Sequence, residues 1–156
     1  MAVGRGLRLN NPYRLQTQLG DTAESLSLTA YYFDIALGAT LGAHDSWQQG
    51  AVVHVSLAID GMPQQVVTPS YLALYRLDRR WTLLSRVGMP LVISPDSAIA
   101  WEAGLGVMRM LRAGFGLIAE LSYSVFYGAA TEQTNPTVIP IVALQLGVLW
   151  DHEVLP

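Results

Sequence analysis

Tyr31-Tyr32-Phe33-Asp34-Ile35-Ala36-Leu37-Gly38-Ala39-Thr40-Leu41-Gly42 is the stretch whose reading decides the fold. Taken in alternation, Tyr31, Phe33, Ile35, Leu37, Ala39 and Leu41 make one face, and Tyr32, Asp34, Ala36, Gly38, Thr40 and Gly42 the other. A period of two over this length is a β-strand. The bulk lies on the uncharged face. The opposite face is small, glycine-rich and carries a carboxylate, too little charge for a surface that meets water. Bulky apolar residues outside and small polar ones inside is the alternation of a transmembrane β-barrel.

Composition agrees. The 156 residues suit one domain, spanning 1–156, and are 51% hydrophobic but only 13% charged, against a usual charged share of about 25%. All nine basic residues are Arg and none is Lys, an unusual economy for a fully hydrated surface. The Arg are scattered and the net charge is −3, so no basic stripe for nucleic acid exists. Cysteine is absent, which excludes disulfides and thiolate metal sites. The uncharged stretch from Thr137 to Trp150 is too short to span a bilayer as a helix, and it contains Pro140, Gln145 and Gly147. Closed barrels are the other way to satisfy every backbone polar group in hydrocarbon. Met1 to Asn10 lacks the apolar core of an export signal. The expectation is a mature outer-membrane chain from which the signal has been removed.

Eight segments follow the same alternation. They are Leu7–Leu19, Ser25–Ala43, Ala51–Asp60, Val67–Leu77, Trp81–Ile93, Ala98–Leu111, Ala113–Gly128 and Thr137–Trp150. The expected fold is therefore all-β, an antiparallel up-and-down transmembrane β-barrel of about eight strands, apolar outside and polar inside. In the second segment Leu26, Leu28 and Ala30 have the opposite parity to the residues after Tyr31, which a bulge near Thr29–Tyr31, or an end that projects beyond the bilayer, would reconcile. Ser94, Pro95, Asp96 and Ser97 signal a turn. Eight antiparallel strands put both termini on one side, periplasmic in such barrels. Arg79–Arg80 and Leu111–Ala113 then form short inner turns, Ala43–Gly50 a long inner connection, and the stretches at Gly20–Glu24, Gly61–Gln65 and Ala129–Asn135 outer loops. Two aromatic girdles emerge on the outward faces: Tyr75, Trp81, Phe115 and Trp150 at the inner end, and Tyr31, Phe33, Tyr71, Trp101 and Tyr127 towards the outer end. Arg109 faces outward near the inner end, where a long guanidinium reaches headgroups. Ser85 is a polar residue on an outward face.

The inward set holds the candidate site: Asp34, Asp60, Arg76, Arg86, Glu102 and Glu120, with His54 and Ser56 near them. Hairpins centred on Pro95–Asp96 and on Arg112 place Arg86 opposite Gly104 and Gly104 opposite Glu120, so the sequence predicts an Arg86–Glu120 ion pair across a residue without a side chain. Glu102, diagonal to Arg86, is a second partner. Such a cluster satisfies buried polar groups compactly; its roles are structural, as a plug, or gating, on an ion path. A turn centred on Trp47 brings Asp34 beside Asp60, and with Glu102 these would make an acidic outer vestibule. Three His without metal-ligand spacing point to no metal and no cofactor, and no Ser–His–acid convergence is evident.

Over nearly the whole chain, the alternation, the Tyr/Trp girdles and the Arg86/Glu102/Glu120 interior resemble the OmpA-type small outer-membrane barrels. The resemblance implies a fold; the class includes anchors, adhesins, weak pores and a few lipid-modifying enzymes. A departure is the end of the chain. An assembly signal typically closes on an aromatic, whereas Trp150 is followed by Asp151, His152, Glu153, Val154, Leu155 and Pro156, which leaves another mode of recognition or a following domain. The expected function is a non-enzymatic outer-membrane protein with a plugged polar lumen and a structural or interaction role. Its partners are outer-membrane lipid and a protein bound through the outer loops. The alternatives are a narrow channel for small solutes, a lipid-acting enzyme, and a soluble lipocalin-like carrier that would bury the same bulky residues around a cavity.

Overall fold

In the computed structural model the described residues are 1–9, 26–42, 46–61, 63–94, 97–112, 114–127 and 138–152. Every regular element among them is a strand: β1 (Ala2–Arg8), β2 (Ser27–Leu28), β3 (Tyr32–Gly42), β4 (Trp47–Ala58), β5 (Gln65–Arg76), β6 (Trp81–Gly88), β7 (Leu91–Ser94), β8 (Ala98–Arg112), β9 (Phe115–Tyr127) and β10 (Val138–Trp150). All ladders are antiparallel, and β10 pairs with β1 from Ala2↔Gly147 to Arg8↔Ile141. That pairing closes the sheet into a barrel and leaves no edge in the ring.

Ten strands make eight staves. β2 and β3 are one stave broken at Thr29–Tyr31. Gly4 pairs with Tyr32 on one side of the break and Leu7 with Leu28 on the other, a shift of one residue and hence the parity change expected there. β6 and β7 are likewise one stave. Their ladders with β8 share a single register, Gly88↔Glu102 continuing to Leu91↔Ile99. The interruption at Met89–Pro90 was not anticipated; proline has no N–H to give to a ladder.

Two expected boundaries move. The first stave is Ala2–Arg8 instead of Leu7–Leu19, most of which lies outside the described residues. Its inward positions, Ala2, Gly4 and Gly6, are buried and nearly without side chains, so they gave little alternation to read. Gly4 is required: a Cβ there would collide with the Tyr32 hydroxyl. Second, the Ala43–Gly50 connection is mostly strand. β4 begins at Trp47 and Gly42 pairs with Gln48, which leaves a short connection like those at the other turns of that end.

One end of the barrel gathers the termini and the short turns. The amino terminus donates to the Val148 carbonyl, Asp151 N–H to Gly114, Arg76 N–H to Ser46 and Met110 N–H to Arg80. Gly114, with φ +76°, makes the reversal between β8 and β9, a left-handed position that suits glycine. The other is the loop end. The expected loops at Gly20–Glu24 and Ala129–Asn135 and the turn residues Pro95 and Asp96 lie outside the described residues, as does Met62 of the Gly61–Gln65 stretch.

Burial decides the orientation of the wall. Leu37 is 83% and Leu105 70% exposed, whereas Arg86 is 5% and Glu120 1% exposed. The bulky apolar face is outside and the charges are inside, the reverse of a soluble carrier. The interior has two layers. Towards the terminal end Val52, Leu72 and Leu84 are buried together, with Leu74, Met108 and Ile118 packed against them. Above them the lumen wall is mixed, with Asp34, His54, Arg86 and Glu102 on some staves and Val92, Phe126 and Ile139 on others.

Candidate functional site

Arg86 points into the barrel from β6, and two carboxylates converge on it. Its Nε donates to Glu120 Oε1 at 2.6 Å and its Nη1 to Glu102 Oε1 at 2.5 Å. A longer contact of 3.5 Å runs from Nη1 to Ser70 Oγ. Both charge-assisted contacts are short, as expected away from water. Arg86 is opposite Gly104, but Gly104 is opposite Ser122, and Glu120 is opposite Gly106. The β8–β9 pairing is thus two residues away from the expected one. A bulge between Met110 and Arg112 and the reversal at Gly114 set it. A slip of two preserves which face each residue occupies, so Glu120 still reaches Arg86, past Gly104, where a Cβ would sit 2.5 Å from Glu120 Oε1. Glu120 Oε2 is buried and has no hydrogen-bond partner among the described residues.

A second cluster lies on β3 and β4. His54 Nδ1 is 2.8 Å from Asp34 Oδ1, and Ser56 Oγ donates to Asp34 Oδ2 at 2.6 Å. Asp34 and His54 are both buried. Asp34 is directly opposite Ser56 and not beside Asp60, because the early start of β4 moves the hairpin centre away from Trp47. Asp60 instead accepts from the Tyr31 backbone N–H at 2.6 Å at the loop end, tying the β4–β5 connection over the broken stave. Asp60 therefore stands apart from Asp34 and Glu102, which line one cavity without it. Arg76 is four residues along β5 from Leu72, the cross-strand partner of Arg86, and belongs to the terminal end. Sequence reading missed the Asp34–His54–Ser56 convergence because it depends on the register of one hairpin.

These contacts limit the chemistry. In a catalytic relay the hydroxyl gives its proton to the imidazole, which is held by the carboxylate. Here Ser56 and His54 both bond the same carboxylate, so Ser56 is not activated by His54. Among the described residues no cluster of three or more His, Asp or Glu is placed to hold a metal ion.

On the outer wall, aromatic contacts collect at the terminal end. The Phe115 and Trp150 rings are 5.0 Å apart and the Trp47 and Tyr75 rings 6.4 Å, and Arg109 stacks over Trp81 at 5.1 Å. Trp47 was not among the aromatic residues expected at this end; the early start of β4 places it beside Tyr75. Tyr31, Trp101 and Tyr127 are exposed towards the loop end, with Arg5 over the Tyr31 ring at 4.4 Å, and Phe33, half-buried, lies beside them. Tyr71 departs from that group. It sits midway along β5, and its hydroxyl donates to Gln49 at 2.7 Å. Ser85 is half-buried between Ala73 and Leu105, and nothing in the structure accounts for a hydroxyl there.

No protein-family profile matches the sequence, and no curated protein matches it. Among solved structures, the chain is similar to Ail, the attachment invasion locus protein of Yersinia pestis, with 11% identity, a TM-score of 0.57, and coverage of 96% of this chain and 94% of that one. A second structure of Ail, in complex with the heparin analogue sucrose octasulfate, matches with 11% identity, the same coverage and a TM-score of 0.53. Neisserial surface protein A matches at 12% identity and a TM-score of 0.49, over 96% of this chain and 95% of that chain. At such identity the likeness to Ail is one of fold: a small eight-stranded β-barrel of the outer-membrane type.

Proposed function

We propose that this chain is an integral, non-enzymatic protein of the bacterial outer membrane, with a closed lumen and a structural or interaction role. The terminal end faces the periplasm, the loop end faces outward, and the two aromatic groups mark the headgroup boundaries. One observation supports the reading: Val52, Leu72 and Leu84 pack together inside the barrel, and Arg86 is clasped between Glu102 and Glu120 beside them, an arrangement that would block the lumen twice. An eight-stranded barrel has room for side chains but little more, and a lumen filled with an apolar layer offers ions no hydrated path. The loop end supplies the contact surface for a partner. Outer-membrane lipid contacts the wall.

Planar bilayer recording tests the closed lumen. The expected result is silence from the protein and also from Arg86→Ala, because the apolar layer remains. Arg86→Ala combined with Leu72→Ala and Leu84→Ala opens a path. Steady single-channel conductance from the unaltered protein would overturn the reading in favour of a narrow channel.

A further inference from the structure

The lumen above the Arg86 layer is not filled. A cavity of about 520 Å³ runs from Arg86 and Gln145 to Ala30, Gln64 and Ala98 at the loop end, within the size range of small-molecule sites. Its wall is two-sided. Phe126, Ile139 and Ile141 present a continuous apolar surface from β9 and β10, since Phe126 pairs with Ile139 and Ile141 with Ser124. Beside them Glu102, opposite Ser124, faces the cavity with the Ser122 and Ser124 hydroxyls.

The charges at the floor do not balance. Glu102 and Glu120 share the single guanidinium of Arg86, and Asp34 is paired only with His54 and a hydroxyl. Around Arg86 two carboxylates face one guanidinium, and Glu120 is buried, where an uncompensated charge is costly. The orphaned Glu120 Oε2 lies just below, with Gln145, a cavity residue, as its cross-strand partner. Arg8 faces the cavity from β1, opposite Ile141, its Nε buried without a hydrogen-bond partner among the described residues; it lies three staves away from Glu102, so the basic group is at the apolar side of the cavity and the acidic group across from it.

We propose that this cavity binds a small amphipathic organic cation, with its ammonium group at Glu102 and its apolar body against Phe126, Ile139 and Ile141. An ammonium donates to the Glu102 carboxylate and to the neighbouring hydroxyls, and it cancels the surplus charge. The apolar body displaces water from a stretch of lumen wall that offers it no hydrogen bond. The site stands whether or not the lumen conducts, because its residues lie on the loop-end side of the Val52/Leu72/Leu84 layer.

The test uses benzylammonium, benzyl alcohol and benzoate, three water-soluble probes of one shape, titrated into the folded protein in lipid nanodiscs and followed by backbone amide shifts. The expected result is saturable shifts at Glu102, Ser122 and Ser124 with benzylammonium, and affinity about tenfold lower or less for the other two probes. Glu102→Gln, which keeps the shape and the Arg86–Glu120 contact, loses the preference for the cation. Ser124→Leu, which fills the cavity beside Glu102 without altering charge, loses binding of all three. Equal affinity for benzyl alcohol and benzylammonium, an unchanged preference in Glu102→Gln, or no saturable shift with benzylammonium would each overturn the proposal.

Discussion

Arg86 and Glu120 meet at 2.6 Å across the lumen face of β8, at the one position, Gly104, where a side chain would have kept them apart. Neither charge is exposed. The pair therefore contributes little net stability over an apolar filling, but each half depends on the other. Arg86→Ala leaves two carboxylates without their cation and is expected to cost about 3–5 kcal/mol. The triple replacement Arg86→Met, Glu102→Gln, Glu120→Leu removes every charge of the cluster and is expected to fall near the unaltered protein. Reversible urea unfolding in lipid vesicles measures both.

Gly104 is predicted to tolerate no side chain. Gly104→Ala places a methyl group against Glu120 Oε1 and the Arg86 side chain, with an expected cost of about 1–3 kcal/mol from overpacking as the ion pair shifts. Measured in the Arg86→Met, Glu102→Gln, Glu120→Leu background, the same substitution is expected to cost much less, because the colliding oxygen is gone. The double-mutant cycle reads the difference.

Asp34 holds two donors at once. Asp34→Ala strands the His54 N–H and the Ser56 hydroxyl in a buried setting, an expected loss of about 1–3 kcal/mol. Ser56→Ala removes one donor and leaves the other bond intact, and is expected to cost about 1 kcal/mol. Urea unfolding again gives the order: Asp34→Ala the larger, Ser56→Ala the smaller.

The turn at Asp78 has a predictable acid limit. Its carboxylate accepts the backbone N–H groups of Arg80 at 2.6 Å and Trp81 at 2.8 Å, and these bonds, foremost that from Arg80, hold its pKa below the ordinary 3.8. A depressed folded pKa means stabilisation that is complete above the unfolded value and lost as pH falls through the folded one. The turn is thus unaffected at neutral pH and loosens only below about pH 3.8. Carboxyl carbon shifts followed by NMR should show Asp78 titrating below an unstructured Asp, and Asp78→Asn should abolish the acid-dependent change in the Arg80 and Trp81 amide shifts.

Which face each strand turns outward was legible in the sequence, because a period of two depends on nothing beyond the strand itself. Tyr31–Gly42, Ala98–Leu111 and the β9 segment read correctly for that reason; the parity change near Thr29–Tyr31 was legible too, and the register shift there decides for a bulge. Register was less legible. It is set by turns and bulges, and the left-handed Gly114 and the extra residue near Leu111 moved the β8–β9 pairing by two. Gln48, Gln49 and Gly50 resemble a loop in composition, yet they continue β4 because Gly42 and Leu41 offer them partners. The apolar inner layer left a signal that alternation alone passes over. Leu72 through Leu74, Leu83–Leu84, Val107–Met108 and Leu117–Ile118 are apolar on both faces, all towards the terminal ends of their strands. The Asp34–His54–Ser56 cluster required the β3–β4 register, and no local pattern supplies that.

The central claim is that hydrocarbon touches the outer wall. Paramagnetic relaxation measures this directly on the folded protein in nanodiscs, with a nitroxide near the end of the lipid acyl chain in one sample and a water-soluble gadolinium chelate in another. The account predicts that the amides of Leu105, Leu121 and Leu144 are broadened by the acyl-chain nitroxide and spared by the chelate, while those of Asp78 and Arg80 respond to the chelate. Broadening of Leu105, Leu121 and Leu144 by the chelate alone would contradict it.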